Sequence, residues 1–356
     1  MRHTLLVSAA LSLGLSISAQ ATPPTVAVDI APLHSLVSQV MEGVSKPKLL
    51  IPAEASPHHY SLRPSEAKAL ADANVVFWMG ESYTPWLEKA IDNVAGSAQK
   101  IEVLDIEGIT TYPFREGATF ESHDHGEEEH HEEEHGKKHH EKEKGHHAHH
   151  DKEKHHDKHH KKDHHDDKHH DKEKHAHHDE HHHDHEGNDP HAWLDPENAK
   201  VWISQIKEVL SKQDPANAQT YSNNAVKATA SLDALIESTR IKINALGKPK
   251  FIVFHDAYQY FERRFNIPAT GSISLGDAED PSPARIKEIR ETVKKLGVTC
   301  VFTEPQYNPG LVKNVFEGTS IATIGVMDPL GASLSTGSSH YSKLIEGMVN
   351  SVSQCK

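Results

Sequence analysis

Histidine is the residue type in this chain with the clearest chemistry. Of 33 histidines, 26 lie in one run from His123 to His185, together with 20 Asp or Glu, 12 Lys, three Gly and two Ala. The run holds no large apolar side chain to bury, so we expect it to stay solvated and mobile. Neutral imidazole binds zinc, copper and nickel, so this density of histidine indicates metal contact, with a low-complexity expansion without function as the alternative.

Mobile histidines would hold metal only weakly, so a defined site must use histidines elsewhere in the chain. Six stand outside both the run and the N-terminal segment: His34, His58, His59, His191, His255 and His340. His34 and His340 fit ordinary positions on predicted helix faces. The other four lie in loops that follow a predicted strand or open a predicted helix.

The ligand rule for α/β folds selects three of these four, because residues just past the carboxyl ends of parallel strands face the ligand crevice. His255 directly follows an apolar strand, and His58 lies in the loop after the second strand. His191 lies in a proline-bounded loop that opens a helix, and Asp328 follows the last strand. Three imidazoles and one carboxylate would close a tetrahedral zinc site, with zinc–nitrogen distances of roughly 2.0–2.1 Å.

Each of these residues also has a structural interpretation. His255 could be a helix-start residue bonded to the backbone, and His191 could form a hydrogen bond within its own turn. One of the neighbours His58 and His59 is expected to be a surface polar residue. Asp328 precedes a proline, and Asp-Pro favours turns.

Strand and helix patterns alternate twice along the chain, which predicts a parallel sheet in each half. Four strands are predicted in each half, at 26–30, 48–51, 74–78 and 100–106, and at 250–254, 269–273, 299–303 and 321–326. Between the halves, the stretch from Asp214 to Leu246 predicts a helix nearly 50 Å long, at about 1.5 Å per residue. Such a helix fits a strut between lobes better than a packed core element. The predicted fold class is α/β: two lobes, each with a roughly four-stranded parallel sheet flanked by helices, joined by one long rigid helix.

The N-terminus predicts a signal peptide. Arg2 precedes an apolar stretch, and a small-x-small motif ends at Ala21, so cleavage is expected near Ala21. The predicted boundaries are 1–21 for the signal peptide, 22–122 and 186–213 for the N-terminal lobe, 123–185 for a disordered His-rich acidic loop inserted in that lobe, 214–247 for the connecting helix, and 248–356 for the C-terminal lobe.

Export makes the two cysteines informative. Cys300 and Cys355 are the only cysteines in the chain, and an oxidising compartment favours joining them, with two unpaired thiols as the alternative. A bridge would tie the C-terminal tail to an apolar strand. By closing about 55 residues it would contribute roughly 4 kcal/mol of stability.

The charge of the chain restricts its partners. A formal net charge of −14 argues against nucleic acid and leaves cations as plausible partners. The apolar N-terminal stretch is too short to span a bilayer comfortably, and no later segment has the character of a membrane helix.

Five stretches of the chain carry a family resemblance. They are residues 58–65 (HHYSLRPS), 189–194 (DPHAWL), 254–258 (FHDAY), 300–306 (CVFTEPQ) and 327–331 (MDPLG). The chain resembles the periplasmic zinc-binding proteins of bacterial ABC zinc importers, the ZnuA type of the cluster A-I solute-binding proteins, over nearly all of the mature sequence. In that family the metal site lies between two lobes, and a His-rich acidic loop near its entrance marks the zinc branch.

The resemblance implies a ligand set of His58, His191 and His255. Manganese-type relatives carry a carboxylate at the third position, whereas imidazole suits zinc. The fourth ligand is Asp328 or water, because Pro57 takes the place of a Glu that binds the metal in some zinc-type members. The family's disulfide falls on the two cysteines, in agreement with the argument from export.

The resemblance also implies a function. It implies a periplasmic solute-binding protein, and not an enzyme, that captures Zn²⁺ between its lobes and delivers it to an ABC permease in the inner membrane by transient docking. A monomer without nucleic acid partners or a membrane span of its own is expected. A periplasmic zinc buffer or storage protein that uses the His-rich run is the alternative, and a zinc metallohydrolase a lesser one, since no His-Glu-x-x-His motif is present. Protonated imidazole cannot bind metal, so a three-histidine site predicts zinc affinity that falls below about pH 6.

Overall fold

The computed structural model describes residues 22–115, 120, 187–274, 282–319, 321 and 323–355. The predicted signal peptide and the His-rich run therefore lie outside the described residues. All the described residues belong to one compact unit, Met1–Glu121 with His185–Lys356.

The N-terminal half contains a four-stranded parallel sheet with the strand order β2-β1-β3-β4. Its strands are β1 (Val26–Val28), β2 (Lys48–Leu49), β3 (Val75–Trp78) and β4 (Gln99–Glu102). The two central strands are buried at every residue, as expected for apolar strands that are covered on both faces.

The C-terminal half repeats this arrangement with the strand order β6-β5-β7-β8, again all parallel. Its strands are β5 (Phe251–Val253), β6 (Gly271–Ser272), β7 (Cys300–Thr303) and β8 (Thr323–Val326). The predicted fold class is confirmed. Strands β2 and β6, each at one edge of its sheet, have only two residues, fewer than predicted.

Helices follow the strands in both halves. They are α1 (Ala31–Val40), α2 (Pro64–Ala71), α3 (Pro85–Val94), α4 (Pro196–Gln213), α5 (Ala218–Leu246), α6 (Gln259–Phe265), α7 (Pro283–Leu296), α8 (Pro309–Phe316) and α9 (His340–Val352). Proline opens several of them, at the position where the missing N–H costs nothing. Asp195 caps α4 by accepting a hydrogen bond from the Glu197 N–H at 2.9 Å, which fixes where the loop of His191 becomes a helix.

The long helix α5 joins the halves, as predicted, but it is also a packed core element. A 3-10 turn, Pro215–Asn217, leads into its 29 residues, which span roughly 44 Å. Nine of its side chains are buried, and it packs against α1, α4 and α9. The expectation of a strut rather than a core element is therefore wrong. Its buried positions, such as Tyr221, Ala225, Ala228, Leu232 and Leu235, recur at spacings of three and four residues, which is the pattern of a buried helix face.

One hydrophobic cluster is shared by the two halves, and a second cluster, which includes Ile252, Val301 and Phe316, lies within the C-terminal half. The shared cluster includes Val28 and Leu36 from the first half and Phe302, Tyr341 and Val349 from the second. The hydroxyl group of Tyr341 donates to the carbonyl of Trp193 at 2.7 Å. Helix α9 thus lies in the C-terminal sequence but packs against α1 and α5.

The predicted disulfide is confirmed. Cys300 in β7 and Cys355 beyond the end of α9 are joined, with their Cα atoms 5.5 Å apart. The bridge ties the last helix to the central strand of the second sheet. Within the described ranges, none of the helices combines the length and the apolar character that crossing a membrane requires.

Candidate metal centre

The three predicted ligand histidines come from three different connections. His58 lies in a 3-10 turn, Pro57–His59, after β2. His191 precedes the 3-10 turn Ala192–Leu194 that leads into α4. His255 lies two residues after β5. The fold therefore delivers ring nitrogens from both halves of the molecule to the same region.

His191 and His255 meet with the geometry of a shared ion. Their Nε2 atoms are 3.4 Å apart, and their ring centroids are 5.3 Å apart. Tetrahedral zinc with roughly 2.0–2.1 Å bonds separates two such nitrogens by roughly 3.3–3.4 Å and the ring centroids by roughly 5.2 Å. Both side chains are buried, at 1% and 3% exposure. This pair is already spaced to bind one tetrahedral ion.

His58 lies nearby but farther out. Its ring centroid is 6.4 Å from that of His191, about 1 Å more than a shared tetrahedral ion requires. Its ring rests edge-on against Tyr83, with 5.0 Å between centroids. In the described part of the chain, no three His, Cys, Asp or Glu side chains are grouped closely enough to hold an ion as they stand. His59 is exposed, in line with the expectation that one member of this pair is a surface residue.

Asp328 serves the turn that follows β8. One carboxylate oxygen accepts hydrogen bonds from the N–H groups of Leu330 (3.0 Å) and Gly331 (2.9 Å). The other accepts from Ala332 N–H at 2.6 Å, and the Gln306 amide adds a fourth hydrogen bond at 3.2 Å. The turn-forming interpretation of this residue therefore accounts for three of its four contacts, and the Gln306 side chain adds the other.

Two buried carboxylates that the ligand prediction did not include lie behind the histidines. Asp189 is 2.7 Å from Nδ1 of His191, and Glu304 is 2.7 Å from Nδ1 of His255. Asp189 could have been found from the short spacing Asp-Pro-His, and Glu304 from its place directly after β7. Neither position shows in the sequence which ring nitrogen it contacts.

Aromatic side chains form the wall of the centre. The ring centroids of Tyr83 and Trp193 lie 5.8 and 5.1 Å from that of His191, and Tyr307 lies 5.8 Å from His255. Burial, and then the charge of Glu304, raises the pKa of Tyr258 well above its ordinary range. The Tyr258 phenol therefore stays protonated and donates to the Met327 carbonyl at 2.9 Å. Among these aromatic rings, His191 and His255 are shielded from solvent.

Arginine pairs connect the halves beside the centre. Arg264 on α6 makes a bidentate contact with Asp195 at the start of α4, with both bonds 2.7 Å long. Arg115 contacts Asp256 and, at 2.8 Å, Glu262. Burial works to lower the pKa of Arg115, but Glu262 and then Asp256 more than offset it, so the net shift is upward.

Described residues that precede and follow the His-rich run in the chain meet next to the metal centre. Pro113 and Asn188 form an isolated antiparallel bridge, and the Asp189 N–H donates to the Tyr112 carbonyl at 2.8 Å. Beyond Pro113, the Phe120 N–H donates to the Thr270 carbonyl at 3.1 Å. The described chain therefore leaves and returns within a few residues of His191.

His34 and His340 take no part in this centre. Both lie on helices, as predicted, and both are buried. His34 Nε2 is 3.2 Å from the Pro47 carbonyl, and His340 Nε2 is 2.7 Å from the Leu330 carbonyl. Their rings fasten neighbouring loops to α1 and α9.

Two parallel sheets joined by a long helix, with buried histidines from both halves facing one another, define the class of two-lobed, metal-binding solute-binding proteins. A model of the family described as zinc-uptake complex component A, periplasmic, matches residues 26–355. The high-affinity zinc uptake system protein ZnuA of Brucella abortus (strain 2308) is 46% identical over 330 residues, which cover 93% of this chain and 91% of that protein. ZnuA of Paracoccus denitrificans (strain Pd 1222) is 38% identical over 355 residues, covering 100% and 98%. The chain therefore belongs to the ZnuA family of periplasmic zinc-uptake components.

The fold has solved counterparts. The crystal structure of a ZnuA deletion mutant with zinc bound has a TM-score of 0.66 to this chain at 20% identity, covering 94% of this chain and 98% of that one. At that identity the likeness concerns the fold. Family membership confirms the predicted zinc-uptake solute-binding protein and confirms a transport component rather than an enzyme.

Proposed function

We propose that this chain captures a single Zn²⁺ ion, as cargo, between its two halves at His58, His191 and His255. The observation that carries the proposal is the 3.4 Å separation of the Nε2 atoms of His191 and His255, which is the spacing of two nitrogens on one tetrahedral zinc ion. A shift of about 1 Å in the turn that carries His58 would complete the set.

Water takes the fourth position in this proposal. Asp328 already accepts four hydrogen bonds, three of them from consecutive backbone N–H groups. Turning its carboxylate toward an ion would leave those donors unpaired, which costs roughly 1–3 kcal/mol for each buried donor. Asp328 as the fourth ligand is the alternative, and a zinc-bound crystal structure separates the two.

Delivery completes the function. The ion passes to the permease of an ABC importer in the inner membrane, after a signal peptide cleaved near Ala21 has sent the chain, as a monomer, to the periplasm. The family of periplasmic zinc-uptake components supports this assignment. The zinc uptake proteins named above, from Brucella abortus and Paracoccus denitrificans, support the cargo.

Isothermal titration of the mature protein, with and without residues 123–185, tests this function. We expect one tight zinc site in both forms, because His58, His191 and His255 all lie outside the run. The full chain should add only weaker sites that fill afterwards. Loss of the tight site together with the run would instead support the buffer or storage function.

Substitution of single histidines locates the site. His255→Ala should remove most of the tight binding, because it deletes one of the two nitrogens that are already spaced for an ion. His34→Ala should leave zinc affinity unchanged, since His34 contacts the Pro47 carbonyl instead. Equal losses in the two variants would contradict the proposed ligand set.

A further inference from the structure

His191 and His255, whose Nε2 atoms lie closest to each other, are each contacted twice by one oxygen of a buried carboxylate. One oxygen of Asp189 accepts both the His191 backbone N–H at 2.9 Å and the ring Nδ1–H at 2.7 Å. One oxygen of Glu304 likewise lies 3.3 Å from the His255 backbone N and 2.7 Å from its ring Nδ1. Each carboxylate thus fixes both the ring and the loop that carries it.

These contacts engage Nδ1 of each ring and turn Nε2 toward the other histidine. An ionised carboxylate can only accept hydrogen bonds, so the Nδ1 atom that faces it carries the proton. In a neutral imidazole the lone pair then belongs to Nε2. The two Nε2 atoms of His191 and His255 face each other at 3.4 Å, which is the spacing of two nitrogens on one tetrahedral ion.

Charge distinguishes these two carboxylates from the others in the region. Asp189 and Glu304 are buried at 1% and 2% exposure. Among the described residues, the ion-pair contacts of Asp189 and Glu304 are with their histidines rather than with a lysine or arginine. Other buried carboxylates nearby do pair with arginine, namely Asp195, Asp256 and Glu262. A divalent ion between the two histidines would bring positive charge next to both buried carboxylates.

The second oxygen of Glu304 supports the same conclusion. The Tyr258 hydroxyl donates to the Met327 carbonyl and also interacts with the Glu304 carboxylate. Glu304 Oε2 itself has no donor in hydrogen-bonding geometry among the described residues. A carboxylate with a purely structural role would be expected to use both oxygens.

The orientation of Asp189 depends on the other half of the molecule. Its second oxygen accepts from the Gln259 amide at 3.2 Å, and its backbone carbonyl accepts from the Tyr260 hydroxyl at 2.6 Å. Both donors lie on α6, whereas Asp189 lies in the loop before α4. The packing of the two halves therefore fixes the orientation of Asp189, the carboxylate that contacts His191, as well as the position of His191.

We propose that Asp189 and Glu304 are positioning residues of the zinc site. Each contacts Nδ1 of its histidine at 2.7 Å and so holds the ring with Nε2 toward the ion. This inference rests on the proposed capture of zinc at His191 and His255. Partners of this kind, hydrogen-bonded to metal-binding histidines, typically change metal affinity by roughly 10–100-fold when they are removed.

Four variants of the mature chain test the proposal. Asp189→Ala and Glu304→Ala should each weaken zinc binding by about 10–100-fold, measured by competition with a fluorescent chelator. Asp189→Asn and Glu304→Gln keep an acceptor for Nδ1–H but remove the charge, so they should lose less. Asp214→Ala is the matched control, because Asp214 is a buried acid that accepts from Tyr221 and Asn217 instead of a histidine.

A second measurement separates positioning from structure. Long-range ¹H–¹⁵N correlation spectra of the metal-free protein report the tautomer of each histidine, recorded on a chain without residues 123–185 to remove the other imidazole signals. Both hydrophobic cores and the disulfide lie outside that segment. We expect His191 and His255 to carry the proton on Nδ1 in the wild type, and to become tautomer mixtures in the two alanine variants.

The outcomes are distinguishable. Alanine variants that fold and bind zinc as tightly as the wild type would overturn the positioning role, as would equal losses in Asp214→Ala. If the alanine variants do not fold, the Asn and Gln variants decide, and wild-type affinity in both would overturn the role. A wild type without any tight zinc site would instead contradict the proposed function itself.

Discussion

His58 and His59 are neighbours with different environments. His58 is half-buried, and its ring rests against Tyr83 on the side of His191. His59 is exposed at the end of the same short turn. The two residues therefore share residue type and chain position, but His58 is half-buried near His191 whereas His59 is exposed.

Separate substitutions of His58 and His59 test which of the two neighbours binds the metal. We expect His58→Ala to weaken zinc binding by more than the roughly 10–100-fold typical of a residue behind a ligand, because it removes a ligand. His59→Ala should leave the affinity within about twofold of the wild type, the scatter expected of such a control. Chelator competition measures both, and a larger loss for His59→Ala would assign the ligand to the wrong neighbour.

The sequence predicts which histidines face the centre better than it predicts how they are held. His255 and His58 were placed by the strands that precede them, because the carboxyl ends of parallel strands share one edge. The carboxylate partners could not be predicted in this way. Glu304 contacts His255 although the two residues follow different strands and lie 49 positions apart in the chain. Only the assembled sheet shows that contact. The competing turn function of Asp328 was recognisable from its proline, but not its use of three N–H groups.

At the scale of elements, Asp29 joins the two central strands of the first sheet. It follows β1 directly and is fully buried. Its two oxygens accept from the N–H groups of Ile30 and of Met79, just past the end of β3, both at 2.7 Å. Burial raises the pKa of Asp29 to about 7, although the two N–H groups work to lower it.

This shift predicts a pH-dependent stability. An unfolded aspartate titrates near roughly 3.9, so between about pH 4 and 7 the native state keeps a proton that the unfolded state releases. Stability from Asp29 therefore falls as pH rises through that window. Relative to Asp29→Asn, the metal-free wild type should lose roughly 2–3 kcal/mol of unfolding free energy between pH 5 and 7, and little more above it.

Urea unfolding of both proteins at a series of pH values measures this difference. Asp29→Asn is also expected to shift the stability by a constant amount, because an amide has one acceptor oxygen for the two N–H groups. Only the change with pH bears on the titration. A difference that stays constant from pH 5 to 8 would rule the titration out.

Element types were predictable because strands and helices have different apolar periods. All eight strands overlap a predicted stretch, although several are shorter than predicted, and β4 begins one residue before its predicted start. Periodicity could not predict how α5 packs, because an amphipathic pattern shows that one helix face is buried but not which elements cover it. Its apolar face lies on helices from both ends of the chain, an arrangement that only the tertiary fold creates.

At the scale of the whole molecule, the shared core implies that the halves unfold together. Scanning calorimetry of the metal-free mature protein should show one transition, because side chains of both sheets pack into the same cluster. Two resolved transitions would contradict this. Two-lobed chains with separate cores would be expected to show them.

Tyr341 tests the coupling directly. Its hydroxyl bonds the Trp193 carbonyl across the halves, so Tyr341→Phe should lower the unfolding free energy by about 1–3 kcal/mol. The transition should move to lower temperature while remaining single. A variant that splits the transition in two would show that this contact, rather than the core, unites the halves.

The bridge between Pro113 and Asn188 has a consequence for how such a chain can vary. It joins the described residues on the two sides of the His-rich run, so the chain between them begins and ends at one fixed point. Each doubling of a closed loop costs only roughly 0.6 kcal/mol, which permits insertion, trimming or exchange at this point at little energetic penalty. A fluorescent module spliced in there would begin and end near His191, where its signal would report on metal bound by the histidines.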